Sequence, residues 1–280
     1  MDRSLPARIR ESAEAEEGIE AIALDRVRAL ASEFGVSLRE VELTALEAHV
    51  LPRRYLRSLG TVGWEGQIKL LRSTVAVVGL GGLGGNVVEG LARMGVGRLV
   101  IVDGDVFLDH NLNRQILCSE DDLGLFKAEV ARAKVAQINA AVEVIARPEE
   151  ATRENLPRLL EGAEVVVDAL DRLPSRLMLQ EVAQKMGIPM VHGAIAGYVG
   201  QVMTIFPGDG GLRALYGGGS VPQQGIEVQL GCPAATPMMV AAWQVQEVLK
   251  VLLGRGQLLR HKMLFMDAEA GTVEVLEIGS

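Results

Sequence analysis

The sequence predicts an α/β fold: a mixed sheet with a parallel core and antiparallel C-terminal strands, preceded by an N-terminal helical extension. Three observations carry this. A short, apolar, β-branched run, Thr74-Val-Ala-Val-Val78, leads straight into Gly79-Leu-Gly-Gly-Leu-Gly84 and then into a segment of helical spacing. A second apolar run, 98–102, ends on the carboxylate of Asp103. Strand, glycine turn, helix, strand and acid open the Rossmann-like nucleotide-binding fold. Finally, 199–206 alternates in the way a half-exposed antiparallel strand does, and 263–278 reads as a hairpin about Gly271.

Residues 1–52 differ from the rest and form the extension. Leu24, Val27, Leu30, Ala31 and Phe34 fall at helical spacing, and Gly35 is a stop. Ser37, with Glu40 three residues on, reads as the cap of a second helix that Leu43, Leu46 and Val50 continue and Pro52 ends. A helix-turn-helix over 27–50 is the other way to read this stretch, but its acidic balance argues against DNA. Residues 53–280 make the second unit. After the strand 74–78, Val87, Leu91 and Met94 share one helix side, and Gly95 and Gly97 close that helix. The remaining pattern gives a helix over 127–138, strands at 142–146 and 164–168, a helix over 175–186, a strand at 189–192 and a long amphipathic helix over 236–254.

Composition excludes several classes. Among 280 residues, 28 Lys+Arg face 36 Asp+Glu, a formal charge of -8, so there is no basic nucleic-acid footprint. The cysteines are Cys118 and Cys232 alone, which rules out a disulfide framework. No apolar run reaches the roughly 18 residues of a membrane span. The first twenty residues are charged and lack the apolar core of a signal peptide. The expectation is a soluble cytoplasmic protein.

The chemistry gathers at strand ends. Gly79, Gly81, Gly82 and Gly84 let backbone approach a phosphate, and the helix after them offers free N–H groups and a partial positive charge. An acid at Asp103 can accept from both hydroxyls of a ribose. The glycine turn alone suits NAD, FAD or no ligand at all. The polar loop 103–115 shifts the balance, because it supplies Asp105, Asn111, Arg114 and Gln115, with Lys127 at the next helix start. A triphosphate needs such fixed cations, and displacement at its α-phosphate develops more charge. Asp171, just past the strand 164–168, can hold Mg²⁺.

With these residues in view, the sequence resembles the ThiF/MoeB/HesA family, bacterial relatives of the ubiquitin-activating enzymes. The matching pieces are Arg54-Tyr55-x-Arg57, Gly66-Gln67, the turn Gly79 to Gly84, Asp103-x-Asp105, Asn111-Leu-Asn-Arg114-Gln115, Lys127, Asp168-x-x-Asp171 and Gln244-x-x-Glu247-x-x-Lys250, in family order over 53–280. The resemblance implies that ATP and Mg²⁺ bind and that the C-terminal Gly-Gly carboxylate of a small ubiquitin-like sulfur-carrier protein is adenylated, in a homodimer. It implies that the glycines line the phosphates and Asp103 holds the ribose. Asn111, Arg114, Gln115 and Lys127 would hold the triphosphate, and Asp171 the metal. Arg57 would reach the neighbouring subunit's ATP as an arginine finger; Arg54 is a weaker candidate for the site, a structural role being its other reading. Many members carry two Cys-x-x-Cys zinc pairs; Gly211-Leu-Arg-Ala214 and the C-terminal tail have no cysteine, so zinc is not expected. Cys232, in the loop before the long helix, stands where some members carry a thioester- or persulfide-forming cysteine. Its proximity to a helix N-terminus would lower its pKa; its spacing to Pro237 is shorter than usual, and a structural thiol is the other reading. Cys118 reads as packing. A relative adenylating a peptide or a tRNA base, a non-catalytic nucleotide-binding scaffold and an NAD-dependent dehydrogenase remain the competing classes.

Overall fold

A computed structural model describes residues 4–217 and 227–278. The extension holds α1 (Leu5–Glu11), β1 (Glu14–Glu16), β2 (Ile19–Ile22), α2 (Leu24–Phe34), α3 (Leu38–Glu47) and β3 (Leu51–Pro52). As the spacing predicts, α2 stops at Gly35, whose φ of 65° is left-handed, and Ser37 Oγ caps α3 by accepting from Glu40 N at 3.1 Å. Two features differ from the sequence reading. Helix α3 ends at Glu47 rather than running to Val50, because His49 takes a φ of 58° and turns the chain. The helices are also joined by a small sheet in the order β1-β2-β3. Its strands have 3, 4 and 2 residues, too few for alternation to register. Ile9, Ile22, Val27, Leu30, Val41 and Val50 form the core of this part.

Buried polar groups bolt the extension to the rest of the chain. Tyr55 OH donates to Glu42 Oε2 at 2.8 Å and accepts from Asn139 Nδ2 at 3.2 Å. Arg54 Nε lies 3.1 Å from Glu42 Oε1, and Arg54 also donates to Asn139. Burial pushes the Glu42 carboxyl up, against the pull of Arg54 and the Tyr55 hydroxyl. Arg39 donates to Gly97 O at 3.0 Å and to Glu143 at 3.1 Å. Gly97 precedes one sheet strand and Glu143 begins another, so the extension sits at the N-terminal ends of those strands.

The rest of the chain runs α4 (Leu59–Val62), α5 (Trp64–Arg72), β4 (Thr74–Val78), α6 (Gly82–Arg93), β5 (Arg98–Val102), α7 (Lys127–Ile138), β6 (Glu143–Arg147), α8 (Leu156–Leu159), β7 (Val165–Asp168), α9 (Leu173–Met186), β8 (Met190–Ala196), β9 (Val199–Ile205), α10 (Leu212–Tyr216), α11 (Glu227–Leu230), α12 (Ala235–Leu253), β10 (Lys262–Asp267) and β11 (Thr272–Glu277). One eight-stranded sheet has the order β11-β10-β9-β8-β7-β4-β5-β6. From β6 to β8 the pairs are parallel; β8, β9, β10 and β11 pair antiparallel. The mixed sheet expected from the sequence is therefore observed.

Strand periodicity divides the core. Odd positions Val75, Val77, Leu99, Ile101, Val165 and Val167 pack against Val87 and Leu91 of α6, Ala131 and Val135 of α7, and Val240 and Val248 of α12. Even positions Ala76, Val78, Val100, Val102 and Val166 pack against Leu156 of α8 and Leu179 and Val182 of α9. Helices on both faces explain why these strands are continuously apolar. The strand order reverses at β4, whose C-terminal end opens the crevice where ligands of such sheets bind.

Candidate nucleotide-binding site

A cleft of about 760 Å³ opens at the C-terminal ends of β4, β5 and β7. Gly79, Gly81, Gly82, Asp103, Asp105, Asn111, Arg114, Gln115, Lys127, Asp171 and Cys232 all line it. Gly84 stands one turn inside α6.

The glycines have different reasons to be glycine. Gly79 has a φ of 93°, and a Cβ there would fall 2.5 Å from Ala169 O. A Cβ on Gly84 would fall 1.8 Å from Gly79 O. Both are required by the turn itself. Gly81 is different: the nearest atom to a Cβ is Gln115 Nε2 at 3.8 Å, so the space it leaves is cleft. Gly81 is also the N-cap of α6, and no side chain caps that end. The first-turn amides thus face the cleft without side-chain acceptors, as an anion site requires.

Asp103 braces this turn. Its Oδ2 accepts Leu80 N at 2.6 Å and its Oδ1 accepts Asp105 N at 2.8 Å. Burial pushes its carboxyl up, with Lys127 and the two amides opposing. Each oxygen keeps a further lone pair. The sequence assigns Asp103 to a ligand alone; the structure adds this role in holding the glycine loop.

The loop after β5 folds back over the cleft. Asn111 is buried and its Oδ1 accepts Leu108 N at 3.0 Å, so it shapes the loop. Arg114 Nη1 donates to His110 O at 2.7 Å and Asn113 Oδ1 at 2.9 Å. Gln115 is buried beside Gly81, and its Oε1 has no partner among the described residues, which leaves a buried acceptor for a ligand's donor. Lys127 is buried at the start of α7, with Nζ 3.0 Å from Asp105. The far wall holds Asp171 and three residues the sequence reading missed: Arg172, Ser175 and Arg176. Arg176 is buried, and its Nε and Nη2 fork Leu170 O at 2.9 and 2.8 Å. Its signal was an arginine in the first turn of a helix that comes after a strand-end acid.

Asp171 is exposed and makes no hydrogen bond or ion pair to a described residue. An uncommitted carboxylate beside a phosphate cradle fits Mg²⁺, which takes one or two protein carboxylates and fills its shell with phosphates and water. Among the described residues no three His, Cys, Asp or Glu side chains gather as an all-protein metal site.

Arg57 is not brought to this cleft. Its side chain is 83% exposed and pairs with Glu17 at 2.8 Å. It lines a separate groove of about 790 Å³ between α6 and α12, with Met94, Ile116, Met238, Val245 and Leu249. The remaining motif residues hold α12 on the sheet. Gln244 Nε2 donates to Asp168 O at 2.9 Å, and Glu247 Oε2 accepts Thr204 Oγ1 at 2.5 Å and Leu259 N at 2.9 Å. Gln67 donates to Met94 O at 2.9 Å. Cys118 is half-buried against the core and its thiol is pushed up by burial. Cys232 is half-buried two residues before the N-cap of α12. Among the described residues no helix is long and apolar enough to cross a membrane.

Fold and cleft define a nucleotide-binding α/β enzyme whose cradle is built for a charged phosphate chain. The model of the ThiF family matches residues 54–280, and the chain belongs to that family. It is an adenylyltransferase. It is 38% identical over 245 residues to the "SAMP-activating enzyme E1" of Haloferax volcanii, covering 86% of this chain and 87% of that protein. It is 38% identical over 227 residues to the "Sulfur carrier protein adenylyltransferase" of Thermus thermophilus, covering 77% and 83%. A solved structure of the microcin C7 biosynthetic enzyme MccB with N-formylated MccA superposes with a TM-score of 0.71 over 90% of this chain and 79% of that one, at 20% identity, which establishes the shared fold.

Proposed function

We propose that the cleft binds ATP and adenylates the C-terminal carboxylate of a small ubiquitin-like sulfur-carrier protein ending in Gly-Gly, releasing pyrophosphate. The observation that carries this is the cradle itself: Gly81 and the uncapped end of α6 face Gln115, Lys127 and Arg114 across one cleft. The relative named a sulfur carrier protein adenylyltransferase supplies the substrate class. In the reaction a carboxylate oxygen attacks the α-phosphorus and the bond to the β-phosphate oxygen breaks. No protein nucleophile is needed, so this chain contributes positioning and charge. The α6 amides, Lys127 and Arg114 hold the phosphates, and Asp103 offers its free lone pairs to the ribose. Asp171 would hold Mg²⁺, which supplies further neutralisation of the phosphate charge when bound with the nucleotide.

The reading includes a homodimer, with residues 1–52 as an extension to the adenylation domain of 53–280. Arg57 stands outside its own cleft, on the rim of an apolar groove that also exposes Met238 and Ile116. A second copy covering that groove would receive Arg57 near its phosphates. Pyrophosphate exchange with a Gly-Gly-ending carrier tests the activity; no exchange with such a carrier from the same genome would overturn it. Mixing Arg57→Ala with Asp171→Ala protein tests the shared site. Exchange should partly recover in the mixture, and a mixture that never exceeds its parents despite subunit exchange removes Arg57 from the partner's site.

A further inference from the structure

Behind Asp171 a line of polar groups, buried at Asp168 and His192, crosses the sheet. His192 on β8 and Asp168 at the end of β7 are both wholly buried and stand opposite each other in register. His192 Nδ1 lies 2.7 Å from Asp168 Oδ2. The other Asp168 oxygen accepts Leu170 N at 3.1 Å, and Leu170 O takes the Arg176 fork. On the far side His192 Nε2 lies 3.1 Å from Gln201 Nε2, which also donates to Tyr216 OH at 3.0 Å. An amide nitrogen only donates, so Nε2 of the ring is the acceptor and the ring proton sits on Nδ1, directed at Asp168. The line therefore has one direction: Gln201 donates to His192, His192 to Asp168, and Asp168 receives the amide of the turn that carries Asp171.

We propose that His192 is a positioning residue for Asp171. By donating to Asp168 it fixes the carboxylate that caps Leu170 N, and so fixes the backbone of the 168–171 turn. This rests on the reading of Asp171 as the carboxylate for the nucleotide's metal. Asp171 has no side-chain partner of its own among the described residues, so its place is set entirely by the backbone beneath it. That backbone is held by Asp168, by Arg176, by Gln244 on Asp168 O and by the close approach of Gly79 to Ala169. Within this set, removing His192 leaves Asp168 a buried carboxylate short of a donor, which it recovers only by moving.

The test reads nucleotide binding rather than turnover. ATP affinity is measured by calorimetry with and without Mg²⁺ for wild type, Asp171→Asn, His192→Ala, His192→Asn and Gln201→Met. Asp171→Asn should abolish the gain in affinity that Mg²⁺ brings. His192→Ala should lose most of that gain, roughly tenfold as typical site couplings go, while metal-free affinity stays at the wild-type value. His192→Asn places an amide N–H where Nδ1–H lies and should restore the gain. Gln201→Met, which leaves the ring in place but without its orienting donor, should fall between and serves if His192→Ala does not fold. A full Mg²⁺ gain in both folded His192→Ala and Gln201→Met, with the gain lost in Asp171→Asn, overturns the positioning role alone. A full gain in Asp171→Asn overturns the metal reading and this proposal with it.

Discussion

Gly81→Ala separates a glycine kept for a ligand from one kept for the fold. At Gly81 the φ of −72° is not the left-handed one reserved for glycine, and the nearest neighbour to the new methyl is Gln115 Nε2 at 3.8 Å. With open space around the new methyl, the substitution should leave the protein folded, at a cost of no more than about 1 kcal/mol. The methyl projects into the cleft at the uncapped end of α6, where a phosphate oxygen must meet the amides. Loss of one charge-assisted hydrogen bond there costs about 1.5–3 kcal/mol. That is roughly a ten- to hundredfold rise in Kd, read by calorimetric titration of ATP beside a thermal melt. Gly84→Ala is the control, because its methyl meets Gly79 O at 1.8 Å; it should lose the fold before it loses affinity. A folded Gly81→Ala protein with wild-type ATP affinity would refute the placement of the phosphates at α6.

Three further outcomes are set by the geometry. Glu42→Ala leaves Arg54 with its charge uncompensated and the Tyr55 hydroxyl without its acceptor, so the melting point should drop by the equivalent of about 3 kcal/mol; an unchanged melt removes this network from the docking of the extension. Asp209 is held below the usual carboxylate range even though burial works against it, because Arg260 and Phe206 N bond the charged form. Its folded pKa is the lower one, so its contribution is present above the unfolded value and lost as pH falls through the folded one. The stability gap between wild type and Asp209→Asn should be about 1 kcal/mol at neutral pH and close below roughly pH 4, and a gap that persists in acid contradicts the assignment. Cys232→Ser should keep pyrophosphate exchange near wild type while any covalent carrier–enzyme adduct disappears; loss of exchange in the folded variant places the thiol in adenylation itself.

The sheet was legible because buried parallel strands are marked by unbroken apolar runs and their ends by glycine or acid. The positions 74–78, 98–102 and 165–168 needed nothing more. The small sheet of the extension was not: its strands are too short for any period, β1 and β2 meet in a local hairpin turning at Glu17-Gly18, and Leu51-Pro52 joins β2 only through the tertiary fold. In the site, residues that present charge at strand ends were readable in sequence. Those that act through another residue were not: His192 sits in an apolar strand, and only the register of β8 against β7 sets it on Asp168. Likewise the double use of Asp103 depends on Leu80 N turning back at 2.6 Å, a contact no spacing encodes.

Arg54 and Arg57 lie three residues apart and meet opposite fates, and on the proposal that Arg57 serves a partner's site this is how the extension would bear on it. Arg54 and Tyr55 are drawn inward by Glu42 of α3 and Asn139 at the end of α7. Two anchored side chains in succession fix the short turn between β3 and α4. Arg57, next along that turn, is thereby directed outward to the groove of α6 and α12, with Glu17 of the β1–β2 hairpin as its partner in the single chain. An exposed pair of this kind is worth little, about 0–1 kcal/mol, so on the proposed reading a partner's phosphate chain of higher charge would displace Glu17. Glu42 and Glu17 thus act on the same arginine by different means, one by fixing the turn beneath it and the other by occupying its guanidinium.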